Sequence, residues 1–195
     1  LDVDEFTLGY FINQDGAAQE GAGLERLSSR EGDTFETAIG DASAVGGTSS
    51  STGTTLSYFQ GSWNVTDVEI PEAEWVHVVW KNTPDEIQLY LNGALEYTGP
   101  AAAPGAVTGF MNIGVRHNNV EGFEGLIDDF FLWDDSENPL TPQAIASIAS
   151  EGMSAFLGFD KDSDGDGLPD FWETDNGLDP EDDGAGDVAN GAEGD

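Results

Sequence analysis

Cysteine is absent from the 195 residues. That excludes disulfides, thiolate-bound zinc and cysteine nucleophiles. Basic residues are scarce: Lys+Arg is 5 against Asp+Glu 39, a formal charge of −34. A field of that sign repels nucleic acid and anionic membranes and draws cations. Residues 160–195 hold 14 of the acids and one Lys, so most of the acidity lies upstream of the tail. No apolar run approaches the roughly 18 residues of a membrane span. No secretory leader is recognisable, and Leu1 opens straight into a strand-like run, so we expect a processed or partial chain.

What is present suffices for a core, with 38% hydrophobic and 10% aromatic residues. Residues 1–138 read as short strands separated by Gly, Asn, Asp, Ser and Pro clusters. The expected strands are 6–12, 24–29, 34–39, 56–63, 66–70, 75–82, 86–91, 94–97, 111–115 and 125–133. Asn92-Gly93 is a hairpin turn. Residues 42–55, rich in Gly, Ser and Thr, form a surface loop, and 100–105 a small-residue linker. This density of strands predicts an antiparallel sandwich or jelly roll. Residues 140–151 are the one expected helix of the main domain, with Thr141 as N-cap, Pro142 at the first turn and Gly152 as terminator.

Residues 162–173, DSDGDGLPDFWE, fit the calcium-loop pattern D-x-[DN]-x-[DN]-G-x5-E at every specified position. Asp162, Asp164 and Asp166 alternate into one point, and Gly167 makes the sharp turn. Leu168 offers a backbone carbonyl, Asp170 a further carboxylate and Glu173 two oxygens. Calcium takes about six to eight oxygen ligands, which this arrangement supplies. Asp160 is a further candidate ligand. One loop without a flanking pair of amphipathic helices is a metal staple, not a calmodulin-like switch.

Four segments in order, Phe6-Thr7-Leu8, Trp75-Val76-His77-Val78-Val79, Leu89-Tyr90-Leu91-Asn92-Gly93 and Gly125-Leu126-Ile127-Asp128-Asp129, resemble the laminin-G-like/concanavalin A-like jelly roll over about residues 4–151. The resemblance implies an all-β antiparallel jelly-roll sandwich with one short C-terminal helix, occupying residues 1–152. The remainder, 153–195, resembles a bacterial thrombospondin type 3 repeat in DSDGDGLPDFWE followed by NGLDP. It implies a calcium-binding tail and a secreted, extracellular or cell-surface setting. Jelly rolls of this kind usually carry one or two strands before Phe-Thr-Leu, where here only residues 1–5 precede it. An open sheet edge invites self-assembly through a donated strand.

Other residues are weighed for chemistry. In GLIDDFFLW, strand alternation puts Asp128, Phe130 and Leu132 on one face and Ile127, Asp129, Phe131 and Trp133 on the other. At least one Asp is then buried, and needs a cation or several hydrogen bonds. The resemblance implies that Asp128 supports the N-terminal region, often with calcium; backbone amides or a turn are the alternative. Trp75 and Trp133 are expected in the core, and the face of Trp80 is open. Trp63 is the best exposed sugar platform, ahead of Tyr58 and Tyr97. His77 is expected to be a hydrogen-bonded structural histidine. His117 and Asn118 lie on a polar turn that can touch a ligand. No glycosidase-type acidic pattern such as E-x-D-x-x-E lies in a strand. A non-catalytic, calcium-stabilised module for binding a glycan or extracellular protein is therefore expected. A filament or surface-layer subunit, or an accessory domain of a secreted hydrolase, is the alternative.

Overall fold

The structure, a computed structural model, describes residues 2–16, 24–30, 35–40, 54–103, 107–108 and 110–184. Most of the expected loop 42–55, and residues 185–195 of the tail, lie outside them. The chain forms two compact units, Leu1–Ala146 and Ser147–Asp195. The boundary expected at residue 152 falls inside the second.

The first unit is an all-β antiparallel jelly-roll sandwich. One five-stranded sheet comprises β2 (Phe6–Gln14), β7 (Trp75–Asn82), β8 (Glu86–Leu91), β9 (Ala94–Pro100) and β12 (Gly125–Asp134), in the order β12-β2-β7-β8-β9. The other comprises β3 (Leu24–Arg30), β4 (Glu36–Gly40), β5 (Thr55–Phe59), β6 (Trp63–Glu69) and β11 (Met111–Ile113), in the order β11-β3-β4-β5-β6. Beside them, β1 (Asp2–Val3) pairs with β10 (Val107–Thr108), so the N-terminal residues do find a strand partner. Neither two-residue strand has an alternation to announce it.

Period-two patterning builds the interior. Val76, Val78 and Trp80 of β7 turn inward to meet Leu8, Tyr10 and Leu89, with Leu27, Ile39, Leu56 and Tyr58 from the opposite sheet. One buried polar chain crosses this core: Trp80 Nε1 donates to Tyr10 Oη at 3.0 Å, and Tyr10 donates to Thr37 Oγ1 at 3.0 Å. Thr37 in turn shares a 2.7 Å bond with Ser28. Burial pushes the Tyr10 phenol above its ordinary value. A hydrogen-bonded network of this kind fixes the register of the two sheets, because any slip would orphan a buried hydroxyl.

Strand β12 departs from its expected alternation. Its register with β2 runs Asp128↔Phe11 and then jumps to Phe131↔Gly9. Asp129 and Phe130 thus oppose Tyr10 alone, a β-bulge with Asp129 at φ 46°. Phe130 drops inward to stack on Tyr10 at 5.8 Å, while Phe131 takes the outer face. A Cβ on Gly9 would stand 2.3 Å from the Phe131 ring, which explains the glycine. Asp128 is exposed, and its Oδ1 accepts the Asp129 N–H at 2.8 Å. The expectation of a buried aspartate is therefore corrected at Asp128, and of the two outcomes weighed for it the backbone amide is the one present. A bulge and three aspartates on an edge strand also oppose edge-to-edge pairing.

The expected helix is α1 (Pro142–Glu151), and among the described residues two more follow in the second unit, α2 (Met153–Phe156) and α3 (Asp170–Asn176). Thr141 Oγ1 accepts the Ala144 N–H at 3.1 Å, the N-cap read from the sequence. Ile145 and Ile148 are fully buried. In α3, Leu178 N–H reaches back to Glu173 O and Gly177, at φ 79°, to Thr174 O, which closes the helix with a Schellman turn. No described helix is long and apolar enough to cross a membrane.

Candidate functional site

On the outer face of the second sheet, Arg26 and Glu36 lie on neighbouring strands. A bulge between Arg26 and Ser28 sets the side chain's position. Arg26 Nε donates to Glu36 Oε2 at 2.6 Å, with both side chains nearly sealed from solvent at 5% and 2% exposure. The segment 114–124 is tied beside β3 by Gly114 N–H to Leu27 O and Arg26 N–H to Glu121 O, both at 2.9 Å. Its turn, with Asn119 and Glu121 at positive φ, delivers three more charged or titratable groups. Glu121 Oε2 lies 3.0 Å from Arg26 Nη2 and 3.7 Å from Arg116 Nη1. Arg116 Nε and His117 Nδ1 lie 3.9 and 4.0 Å from Glu36 Oε1. These three side chains are 25–30% exposed, so a sealed ion pair carries a half-open polar layer.

Trp63 borders the cluster. The Arg26 guanidinium lies over its ring at 4.6 Å, and Phe59 meets its edge at 5.3 Å. Trp63 is half-buried, less open than expected, with Arg26 on a face that a sugar was expected to use. The structure nonetheless brings Trp63 and His117 to one cluster, and Asn118 stands exposed at the turn beside it. Such a group offers donors, acceptors and an apolar ring edge together, the equipment for holding a polyol.

Sequence reasoning missed Arg26, Glu36 and Glu121. One signal was available: only five basic residues exist, and two of them converge here. The spacing E-x-D-x-x-E does occur, at Glu31, Asp33 and Glu36, the last of them in β4. Of these acids only Glu36 lies among the described residues, and Arg26 holds it inside the sheet face.

Other expectations are revised. Trp75, expected in the core, is 48% exposed at the end of its sheet, in the row with Asn13 and Leu126. Trp133 is half-buried and donates to Asn138 O at 2.8 Å, whereas Trp80 is fully buried. Tyr58 and Tyr97 belong to the core and its packing shell, which removes them as platforms. His77 is not hydrogen-bonded: neither ring nitrogen has a hydrogen-bond partner among the described residues. It stacks on Phe11 at 4.5 Å, and burial pulls its pKa down to about 4, the charge on Asp129 opposing this in part.

In the second unit, carboxylate oxygens of Asp162, Asp164 and Asp166 gather within 4.8 Å of one another. Asp162 accepts the N–H groups of Gly165 and Gly167 at 2.7 and 3.0 Å, so the backbone wraps around it. Both glycines have positive φ, 80° and 99°. Desolvation, then the neighbouring Asp166 and Asp162 carboxylates, push the Asp164 carboxyl up, and its buried Oδ2 has no hydrogen-bond partner among the described residues. Glu173 on α3 is fully buried. This donor set fits a hard cation. Asp170 sits apart. It is held by Lys161 and by Ser163, whose N–H it accepts at 2.7 Å, and the Lys161 hydrogen bond keeps its carboxyl below the usual range. Asp160 instead accepts the Ser154 hydroxyl at 2.7 Å. Phe159 and Phe171 meet at 5.2 Å across the base of the loop.

The fold and this face define a lectin-like sandwich. Residues 1–146 match the family described as the concanavalin A-like lectin/glucanases superfamily, and the chain belongs to it. Domain 4 of AbnA, an extracellular arabinanase from Geobacillus stearothermophilus solved with arabinotriose, is similar in fold at 16% identity and TM-score 0.56, over 76% of this chain and 68% of that one. A putative carbohydrate binding protein from Bacteroides ovatus superposes at 19% identity and TM-score 0.57, over 73% of this chain but only 41% of that one. A SAP-like pentraxin from Limulus polyphemus does so at 18% and 0.55, over 77% and 72%. A search of curated protein sequences returns no match.

Proposed function

We propose that the first unit is a non-catalytic carbohydrate-binding module, and that its saccharide site is the outer face of the second sheet at Trp63, Arg116, His117, Asn118 and Glu121. The observation that carries this is the half-open charged layer resting on a sealed Arg26–Glu36 pair beside an aromatic ring. Two of the similar folds, the arabinanase domain and the putative carbohydrate binding protein, support the ligand class. Trp63→Ala is expected to abolish saccharide binding in a glycan array and in calorimetry while leaving the sandwich folded. Unchanged binding would move the site elsewhere. Chromatography of oligosaccharides incubated with the protein should show no cleavage. The arabinanase domain also favours a second reading of the same site, as the accessory domain of a secreted hydrolase.

The second unit is a calcium staple of the thrombospondin type 3 kind, held by Asp162, Asp164, Asp166, the Leu168 carbonyl and Glu173, and the protein works outside the cell. Asp170 tightens the loop through Lys161 and Ser163 instead of meeting the cation directly. Calcium in such extracellular loops binds at roughly 0.1–1 mM. Terbium luminescence sensitised by Trp172, displaced by calcium, measures it. Asp164→Ala should remove the signal, whereas Asp170→Asn should weaken it less.

A further inference from the structure

Among the described residues, the charges of the candidate saccharide site cancel within the site. Arg26 and Arg116 face Glu36 and Glu121, and each arginine has a nitrogen within 4.0 Å of an oxygen of each glutamate. A ligand carboxylate or sulfate seeks a bidentate arginine fork. Here Arg26 presents its fork to Glu36 and Glu121, the first of them almost sealed from water. An anionic ligand would have to displace one of these carboxylates and leave it uncompensated, which is costly for a buried group. It would also approach a chain of formal charge −34. Sugar hydroxyls make the opposite demand, for donors and acceptors side by side with no net charge. Arginine N–H groups, glutamate oxygens, the His117 ring and the Asn118 amide supply that mixture around the half-open layer.

From this we infer that the site selects neutral saccharides over uronic or sulfated ones, and that Glu121 sets the selection. Its side chain is 30% exposed, and it bridges Arg26 and Arg116. The inference rests on the carbohydrate reading of this face. Glu121→Gln would keep the shape and free one positive charge. Arg116→Gln would do the reverse.

The test is calorimetry of the full chain with matched oligosaccharides, galactan against oligogalacturonate and cello-oligomers against their sulfated forms, at low and at physiological salt. The wild type is expected to bind the neutral member at least about tenfold more tightly. Glu121→Gln should raise the anionic-to-neutral affinity ratio by about tenfold at low salt, with the gain shrinking as salt screens the charge. Arg116→Gln should lower that ratio. Preference for the anionic members by the wild type, or a ratio that neither variant moves, would overturn the inference and leave the carbohydrate reading standing. No binding to either class would bring down both. Near-ultraviolet circular dichroism of each variant checks that the sandwich is intact.

Discussion

Two ion pairs lie buried on the outer faces of opposite sheets, and they are built to different ends. In the first sheet, Lys81 reaches Asp135, whose Oδ2 also accepts the Thr7 hydroxyl at 2.6 Å and whose Oδ1 accepts the Leu140 N–H at 2.8 Å. Both Asp135 oxygens are used, and Asp135 itself is 3% exposed. This pair bolts the chain after β12 to β2 and β7. In the second sheet, Arg26–Glu36 is equally deep, but its outer partners are half-open and lie at 3.0–4.0 Å. A closed network spends its hydrogen-bonding capacity on stability. An open one leaves its outer side chains part-exposed.

Substitutions should separate the two. Asp135→Ala is expected to cost the most, about 3–5 kcal/mol in chemical denaturation, because it strands the Lys81 ammonium. The double change Lys81→Met with Asp135→Leu should cost less than Asp135→Ala alone, since no buried charge remains. His77 is the limiting case of a buried group with no hydrogen bond. Its pKa falls from 6.5 unfolded to about 4 folded, so the unfolded state binds the proton first. Stability should therefore drop as pH falls from about 6.5 to about 4, by on the order of 2–3 kcal/mol, and His77→Phe should flatten that window. Arg26→Met is expected to cost about 1–3 kcal/mol, because Arg116 and His117 remain near Glu36. Were it as costly as Asp135→Ala, the distinction between closed and open networks would fail. Glu121→Ala should change stability least, below about 1 kcal/mol, as exposed pairs do.

The sequence made β7 and β8 plain, because WVHVVWKN and EIQLYL alternate cleanly and end in polar turns. It did not make β12 plain. An unbroken alternation in GLIDDFFLW requires Asp129 to stay extended, and a left-handed Asp129 reverses every side chain beyond it. Trp75 misled for another reason. Alternation assigns a face but not a position along the sheet, and the end row of an outer face is open to water. The acidic loop was readable because its carboxylates are local in sequence. Arg26, Glu36 and Glu121 were not, since they meet only after a hairpin and a distant turn have folded together. Asp170 shows what a pattern leaves out: the loop spacing does not announce that Lys161 and Ser163 hold its carboxylate.

The place of β2 has a kinetic consequence. It sits between β7 and β12, and the Thr7–Asp135 bond joins residues 128 apart in sequence. Strand β2 is thus among the last to be completed. Contacts of such long range demand large loop closures before any reward, and domains rich in them fold in about milliseconds to seconds. One edge of β2 must wait, unpaired, until β12 arrives. The dense negative charge of the chain then serves a second purpose, since waiting chains that repel one another are slow to aggregate.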